Sequence, residues 1–154
     1  MTTATVPFLQ EVMCQVQRPV DITRKMLLGL FCGLMENGYS SWLHRVEDRS
    51  FAEGTVLEDY RKGGKFNKDE DDLWPTNYIV AFSPGCSLKL LVDNPNEGDD
   101  TLIFEWTLEK ALAGIKIMAE KYPRHFHDII IENDDADTAD IFGQCVVYGE
   151  AVYG

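Results

Sequence analysis

No two of the four cysteines, Cys14, Cys32, Cys86 and Cys145, stand at the C-x-x-C spacing that zinc and redox sites use. They read as free thiols of a reducing compartment rather than as a disulfide framework. No apolar run approaches the ~20 residues needed to cross a bilayer. The longest, Met26 to Met35, is broken by Gly29 and Gly33 and reads as a buried helix. The chain opens Met1-Thr-Thr-Ala-Thr-Val-Pro with neither a basic n-region nor an apolar h-region, so the expectation is a cytoplasmic protein with no membrane association. Catalytic signatures are also missing. There is no Gly-x-Ser-x-Gly elbow, no Walker loop and no Gly-x-Gly-x-x-Gly, and no cysteine has a histidine beside it in sequence. Internal repeats and heptads are absent too.

Basic residues are the scarce sign of charge, with 14 Lys and Arg against 26 Asp and Glu and a net charge of −12. The imbalance is local. Residues 1–66 carry eight acids and eight bases, whereas residues 67–154 carry 18 acids and six bases, so the second part supplies the whole excess. Such a field repels nucleic acid, whose binding draws most of its affinity from Lys and Arg on phosphate, and attracts basic surfaces. With 154 residues and 45% hydrophobic content, the chain suffices for one core, and a single domain over 1–154 is expected.

Periodicity gives the elements. A Val-containing run from Val6 to Val20 predicts a strand, and Asp21 then caps a helix whose stripe is Ile22, Met26, Leu27, Leu30, Phe31 and Leu34, ending near Asn37-Gly38. Gly29 and Gly33 on that helix point to a close approach of another backbone, either helix on sheet or a homodimer contact. Ser41 to Arg49 alternates as a strand, and Arg61 to Asp72 reads as a polar loop. Thr76–Phe82 and Ser87–Val92 read as a hairpin around Ser83-Pro84-Gly85, followed by an acidic loop at Asp93–Asp100 and a strand at Thr101–Trp106. Thr107 caps the clearest helix, closed by Tyr122-Pro123, and a last helix spans about Asp135 to Tyr148. The fold class is therefore α+β, a small and mostly antiparallel sheet packed with two to three helices.

Glu36-Asn37-Gly38-Tyr39-Ser40-Ser41-Trp42, after an apolar helix, resembles the Glu-Gly-Gly-Ser-Asn-Tyr-Trp segment of an uncharacterised family of small phage-encoded proteins. The run from Asp134 through Ala139-Asp140-Ile141-Phe142-Gly143-Gln144, with Tyr148-Gly149-Glu150-Ala151-Val152-Tyr153-Gly154, is similar to that family's ending. Asn37 stands where the family has its first Gly, Tyr39 where it has Ser, and Ser40-Ser41 where it has Asn-Tyr. The resemblance implies a phage or prophage origin, hence a host-cell cytoplasm, and carries no activity with it.

Three constellations bear on chemistry. His125-Phe126-His127-Asp128 would, on a strand, project both imidazoles from one face toward a metal, but the further histidines of the His-x-His-x-Asp-His hydrolases are missing. Without a metal the run is a surface turn after Pro123, and no cofactor is expected. Asp134, Asp135, Asp137 and Asp140 stand at a helix start, where two of them find local work on orphan N–H groups and the rest repel one another unless a cation or basic partner relieves them. Lys62-Gly63-Gly64-Lys65 is a basic turn, and the aromatic set Trp42, Trp74, Tyr78 and Trp106 supplies core or stacking rings.

These features rank three functions. The first is a non-enzymatic counter-defence protein that occupies the basic surface of a host protein as a nucleic-acid mimic, through Asp69, Glu70, Asp71, Asp72, Asp99, Asp100, Asp134, Asp135, Asp137 and Asp140. The second is a sponge for a nucleotide-type signal, using Tyr39, Trp42, Arg61, Lys62 and Lys65. The third is a metal-dependent hydrolase built on His125, His127 and Asp128.

Overall fold

The computed structural model describes residues 8–15, 18–36, 38–53 and 74–154. Among these, three strands and five α-helices form an α+β fold: α1 (Arg24–Glu36), β1 (Leu43–Ser50), α2 (Trp74–Ala81), β2 (Ser87–Asp93), β3 (Thr101–Thr107), α3 (Leu108–Lys121), α4 (Pro123–Ile130) and α5 (Ala136–Tyr148). The sheet is antiparallel in the order β1-β2-β3. No helix among the described residues is long and apolar enough to cross a membrane.

Register explains which face of the sheet is covered. Leu88, Leu90 and Val92 alternate with Ser87, Lys89 and Leu91 and lie opposite Trp106, Phe104 and Leu102, so one face collects the apolar side chains and receives the helices. The other face carries Lys89, Ile103 and Glu105 and stays exposed. Strand β1 departs from simple alternation, because register shifts between Leu43 and Arg45 and between Val46 and Asp48 insert two bulges. Leu43, Val46 and Arg49 therefore pair with inward residues of β2, while Arg45, Asp48 and Ser50 pair with outward ones.

Trp106 sits at the centre of the core. Phe31, Phe82 and Phe142 meet it edge-on with centroids at 5.3, 6.3 and 5.9 Å, and its indole N–H donates to the Ala81 carbonyl at 3.1 Å. Helix α1 contributes Leu27, Leu30, Phe31 and Leu34 from one stripe. Cys86 and Cys145 are buried, and Cys32 and Cys14 are progressively more exposed.

Several elements differ from the sequence expectation, each for a physical reason. Over 8–15 and 18–20 the chain forms only a single-turn helix at Phe8–Gln10, and no strand. Its apolar residues recur every three or four positions rather than every two, and Leu9 is left 93% exposed. Helix α1 starts at Arg24, and Thr23 rather than Asp21 caps it, its Oγ1 accepting the Met26 N–H at 3.3 Å. The run expected as a strand from Thr76 to Phe82 is instead helical through Ala81, with Phe82 in the turn that follows. Pro75 at the second helical position starts the helix without losing a hydrogen bond, and a short apolar run does not by itself tell helix from strand. Residues after Pro123 likewise form α4 instead of a turn, again with Pro at the helix start.

The close backbone approach lies elsewhere than at Gly29, where an added Cβ would meet nothing within 4 Å. It lies at Gly114, where a Cβ would stand 2.8 Å from the Cα of Val146 and 2.9 Å from its N, so α3 and α5 cross almost in backbone contact. Caps hold both helices: Thr107 accepts the Lys110 N–H at 3.2 Å, Asp135 accepts the Thr138 N–H at 3.0 Å, and Gly149 closes α5 at a φ of 75°.

Candidate interaction surface

Helix α5 organises the region that the charge pattern singles out. It is buried on nearly all sides, and Thr138, Asp140 and Gln144 are three polar side chains in the core. Spaced four apart, Asp140 and Gln144 share one face, and Gln144 donates to Asp140 Oδ2 at 2.7 Å. The other carboxylate oxygen receives the Ser40 hydroxyl at 2.6 Å and the Trp42 indole N–H at 2.7 Å. The loop between α1 and β1 is thus clasped onto α5 by one buried carboxylate. Gly38, at a φ of 60°, makes the bend that lets this loop turn in.

The clasp reassigns two predicted site residues. Asp140 is only 6% exposed and spends both oxygens on neutral donors, so it belongs to the scaffold and not to an exposed acidic face. Trp42 is 1% exposed and also packs edge-on against Tyr148 at 5.6 Å, so its ring offers no stacking surface to a nucleotide. Tyr39 does reach solvent, at 54% exposure, and its hydroxyl donates to Asp137 Oδ1 at 3.3 Å. The charge of Asp137 is the main cause holding that phenol above its ordinary range. On the other side, Asp137 Oδ2 lies 3.8 Å from His125 Nε2.

Asp135 keeps its capping job: the Thr138 backbone N–H is the main cause holding its carboxyl below the usual range. Asp134 stands exposed beside it. Asp99 and Asp100 occupy the turn joining β2 to β3, which Asn94 N–H closes onto the Asp100 carbonyl at 2.9 Å, while Asp100 Oδ1 caps Thr101 at 3.2 Å. That turn starts from Asp93, whose carbonyl accepts the Tyr148 hydroxyl at 2.6 Å. The base of the turn and the Asp134–Asp137 group therefore flank opposite ends of α5, separated along its axis by about 16 Å at 1.5 Å per residue. Asp69, Glu70, Asp71 and Asp72 lie outside the described residues, as do Arg61, Lys62 and Lys65.

Counter-charges are scarce around these carboxylates. Among the described residues a single Arg- or Lys-carboxylate pair forms, Arg45 with Glu47 at 2.7 Å, and the other two ion pairs involve histidines, His44 with Asp93 and His125 with Asp137. Asp99, Asp100, Asp134 and Asp135 have no basic partner within 4.0 Å among those residues.

The metal arrangement expected of His125, His127 and Asp128 does not form. These residues lie on helix α4, where positions two apart point about 200° from each other, so the imidazoles diverge. Among the described residues no group of three or more His, Cys, Asp or Glu is placed to hold a metal ion. One concavity of ≈ 580 Å³ lies on the exposed face of the sheet, where Asp48, Lys89 and Glu105 stand in register across the three strands with Ser50, Ser87 and Glu109 around them. Neither Tyr39 nor Trp42 lines it.

Composition and spacing alone give Ser40 and Gln144 no role at the site. The i, i+4 pairing of Asp140 with Gln144 inside an otherwise apolar helix face was the available signal, since buried polar side chains come in bonded sets. No protein-family model, no curated protein and no solved structure matches the chain.

Proposed function

We propose that this chain is a non-enzymatic binding protein that docks its acidic surface on a basic surface of a host protein, standing in for nucleic acid in a phage counter-defence role. The observation that carries this reading is the set of carboxylates with no basic partner among the described residues at the two ends of α5, Asp134 and Asp135 at one and Asp99 and Asp100 at the other. Fixed, unpaired charge of one sign steers an oppositely charged partner and chooses among partners, which is how a protein competes with a polyphosphate. Capping and turn geometry hold Asp135 and Asp100 in place, so little order is lost when a partner arrives. The nucleotide-sponge alternative loses Trp42 to the core, and the hydrolase alternative loses the convergence of His125 and His127.

The test is capture of host proteins on immobilised chain, followed by affinity measurement on the captured partner across a salt series. Affinity should fall steeply between low and moderate salt, because the Debye length shrinks from about 30 Å at 0.01 M to about 8 Å at 0.15 M. Asp99→Asn with Asp100→Asn, and Asp134→Asn with Asp137→Asn, should each weaken binding while leaving melting nearly unchanged. Asp140 stays intact in these variants because it supports the scaffold. Salt-insensitive binding, or binding indifferent to both double variants, rejects the proposal.

A further inference from the structure

After Gly149 the chain turns back along α5, and residues 151–153 lie against it through a side chain rather than through another strand. Gln144 Oε1 accepts the N–H groups of Val152 and Tyr153 at 2.7 and 2.8 Å, and Nε2 donates to the Tyr153 carbonyl at 3.0 Å. One carboxamide thus offers the acceptor and donor that a neighbouring strand's peptide group offers in a sheet. Ala151 N–H reaches the Tyr122 hydroxyl at 2.7 Å, Lys121 Nζ reaches the Gly149 carbonyl at 3.3 Å, and the Tyr153 ring packs on Tyr148 at 5.6 Å.

The same Nε2 also donates to Asp140 Oδ2, and Asp140 Oδ1 holds Ser40 and Trp42. Gln144 is 0% exposed, and its two N–H groups and two acceptor sites are all spent. It has no spare capacity to absorb a lost partner. If residues 151–153 come away, Gln144 Oε1 is left buried with two hydrogen bonds gone, a state that drives the carboxamide to turn toward entering water. Turning withdraws Nε2 from Asp140, whose Oδ2 has no other donor among the described residues. A buried carboxylate stripped of a donor recruits water, and the Ser40 and Trp42 contacts loosen in consequence.

We propose that residues 150–154 are a strap whose docking, relayed through Gln144 and Asp140, orders the loop from Gly38 to Trp42 and so fixes the exposed Tyr39. Cleavage of the strap, or its capture as an extended backbone by another protein, switches that loop from ordered to mobile. Gln144 is a positioning residue in this scheme. The proposal concerns order within the chain and stands apart from what the acidic surface binds.

Exchange of the tryptophan indole protons, read by NMR, tests it. Trp42 donates into the clasp, whereas Trp106 donates to Ala81 and has no bond to it, so the second indole is an internal control. Deleting residues 151–154 should speed exchange at Trp42 Nε1 about tenfold or more, the factor that 1.4 kcal/mol of lost protection produces, and leave Trp106 unchanged. Equal Trp42 rates in the full and shortened chains, or equal acceleration at both indoles, overturns the proposal. Should the shortened chain not fold, the intact chain gives the answer under rising denaturant. There the Val152 and Tyr153 amides and the Trp42 indole should exchange through one shared opening below global unfolding. Exchange of Trp42 only together with Trp106 in the global transition overturns the coupling.

Discussion

Gly114→Ala and Gly29→Ala make the same chemical change in two helices and should move stability in opposite directions. In a helix interior, Ala is favoured over Gly by about 1 kcal/mol. At Gly29 that gain stands alone, because an added methyl meets nothing within 4 Å. At Gly114 the methyl would lie 2.4 Å from Val146 Cγ2, 2.8 Å from its Cα and 2.9 Å from its N. A rotamer change of Val146 relieves the first contact but neither of the other two, so α3 and α5 must part. Overpacking of this kind costs about 1–3 kcal/mol, and backbone contacts place Gly114 at the upper end of that range. Set against the propensity gain, the net loss is about 2 kcal/mol. For a chain of this size, that lowers Tm by roughly 4–8 °C, whereas Gly29→Ala raises it by roughly 2–4 °C. Thermal melts followed by circular dichroism read both. If Gly114→Ala melts at or above the unaltered protein while Gly29→Ala shows its gain, the α3–α5 approach is not as close as described and the packing argument fails.

Two further predictions concern the buried polar groups. Asp140→Ala strands the Ser40 hydroxyl, the Trp42 indole N–H and one Gln144 N–H, so it should cost at least ~3 kcal/mol in urea unfolding, while Asp99→Asn and Asp134→Asn stay within ~0.5 kcal/mol. Equal effects across the three variants would refute the division into scaffold and surface carboxylates. Alkaline pH should destabilise the fold. Burial pushes the Cys145 thiol up to about 11 and is the main cause raising the Tyr78 and Tyr148 phenols above their ordinary value. The native chain therefore keeps protons that the unfolded chain releases above its ordinary Cys and Tyr values of 9.0 and 10.0. The stability they lend is complete below about pH 9 and is lost as pH rises toward 11 and beyond. A urea midpoint that is the same at pH 8 and pH 10.5 would contradict this.

Local signals were readable where sequence neighbours decide the structure. Thr107 before an apolar stripe, Tyr122-Pro123 after it, and Asp135 ahead of Ala139, Phe142 and Cys145 each locate a helix end or face, and α3 and α5 lie where those residues put them. The β2 and β3 strands follow from alternation around an acidic turn. Ambiguity entered where a run was short: Thr76 to Phe82 fits a strand by composition, and only Pro75 hinted at a helix start. The bulges of β1 arise from pairing with β2 and leave no mark on β1's own sequence. The clasp was out of reach for a different reason. Ser40 and Trp42 meet Asp140 across 100 and 98 positions of chain, and no local pattern announces a contact at that separation. Asp140 consequently looked like one more surface acid among its neighbours, and Gly29 looked like the crowded glycine that Gly114 turns out to be.

The placement of that clasp also sets an order of events in folding. From Ser87 to Tyr148 the chain visits β2, β3, α3, α4 and α5 in succession, so much of their mutual packing closes short loops. Strand β1 joins the sheet by pairing with β2, and the loop between α1 and β1 is tied to α5 through contacts of the longest separation in the network. Loop-closure entropy must be met before such contacts return any stability, which delays them relative to local ones. The expected nucleus is therefore the hairpin with the α3–α5 pair, and the clasp is expected to form on the native side of the barrier. Substitutions at Trp42 or Asp140 should accordingly hasten unfolding with little change in folding rate, giving φ-values near zero, whereas Gly114→Ala slows folding itself.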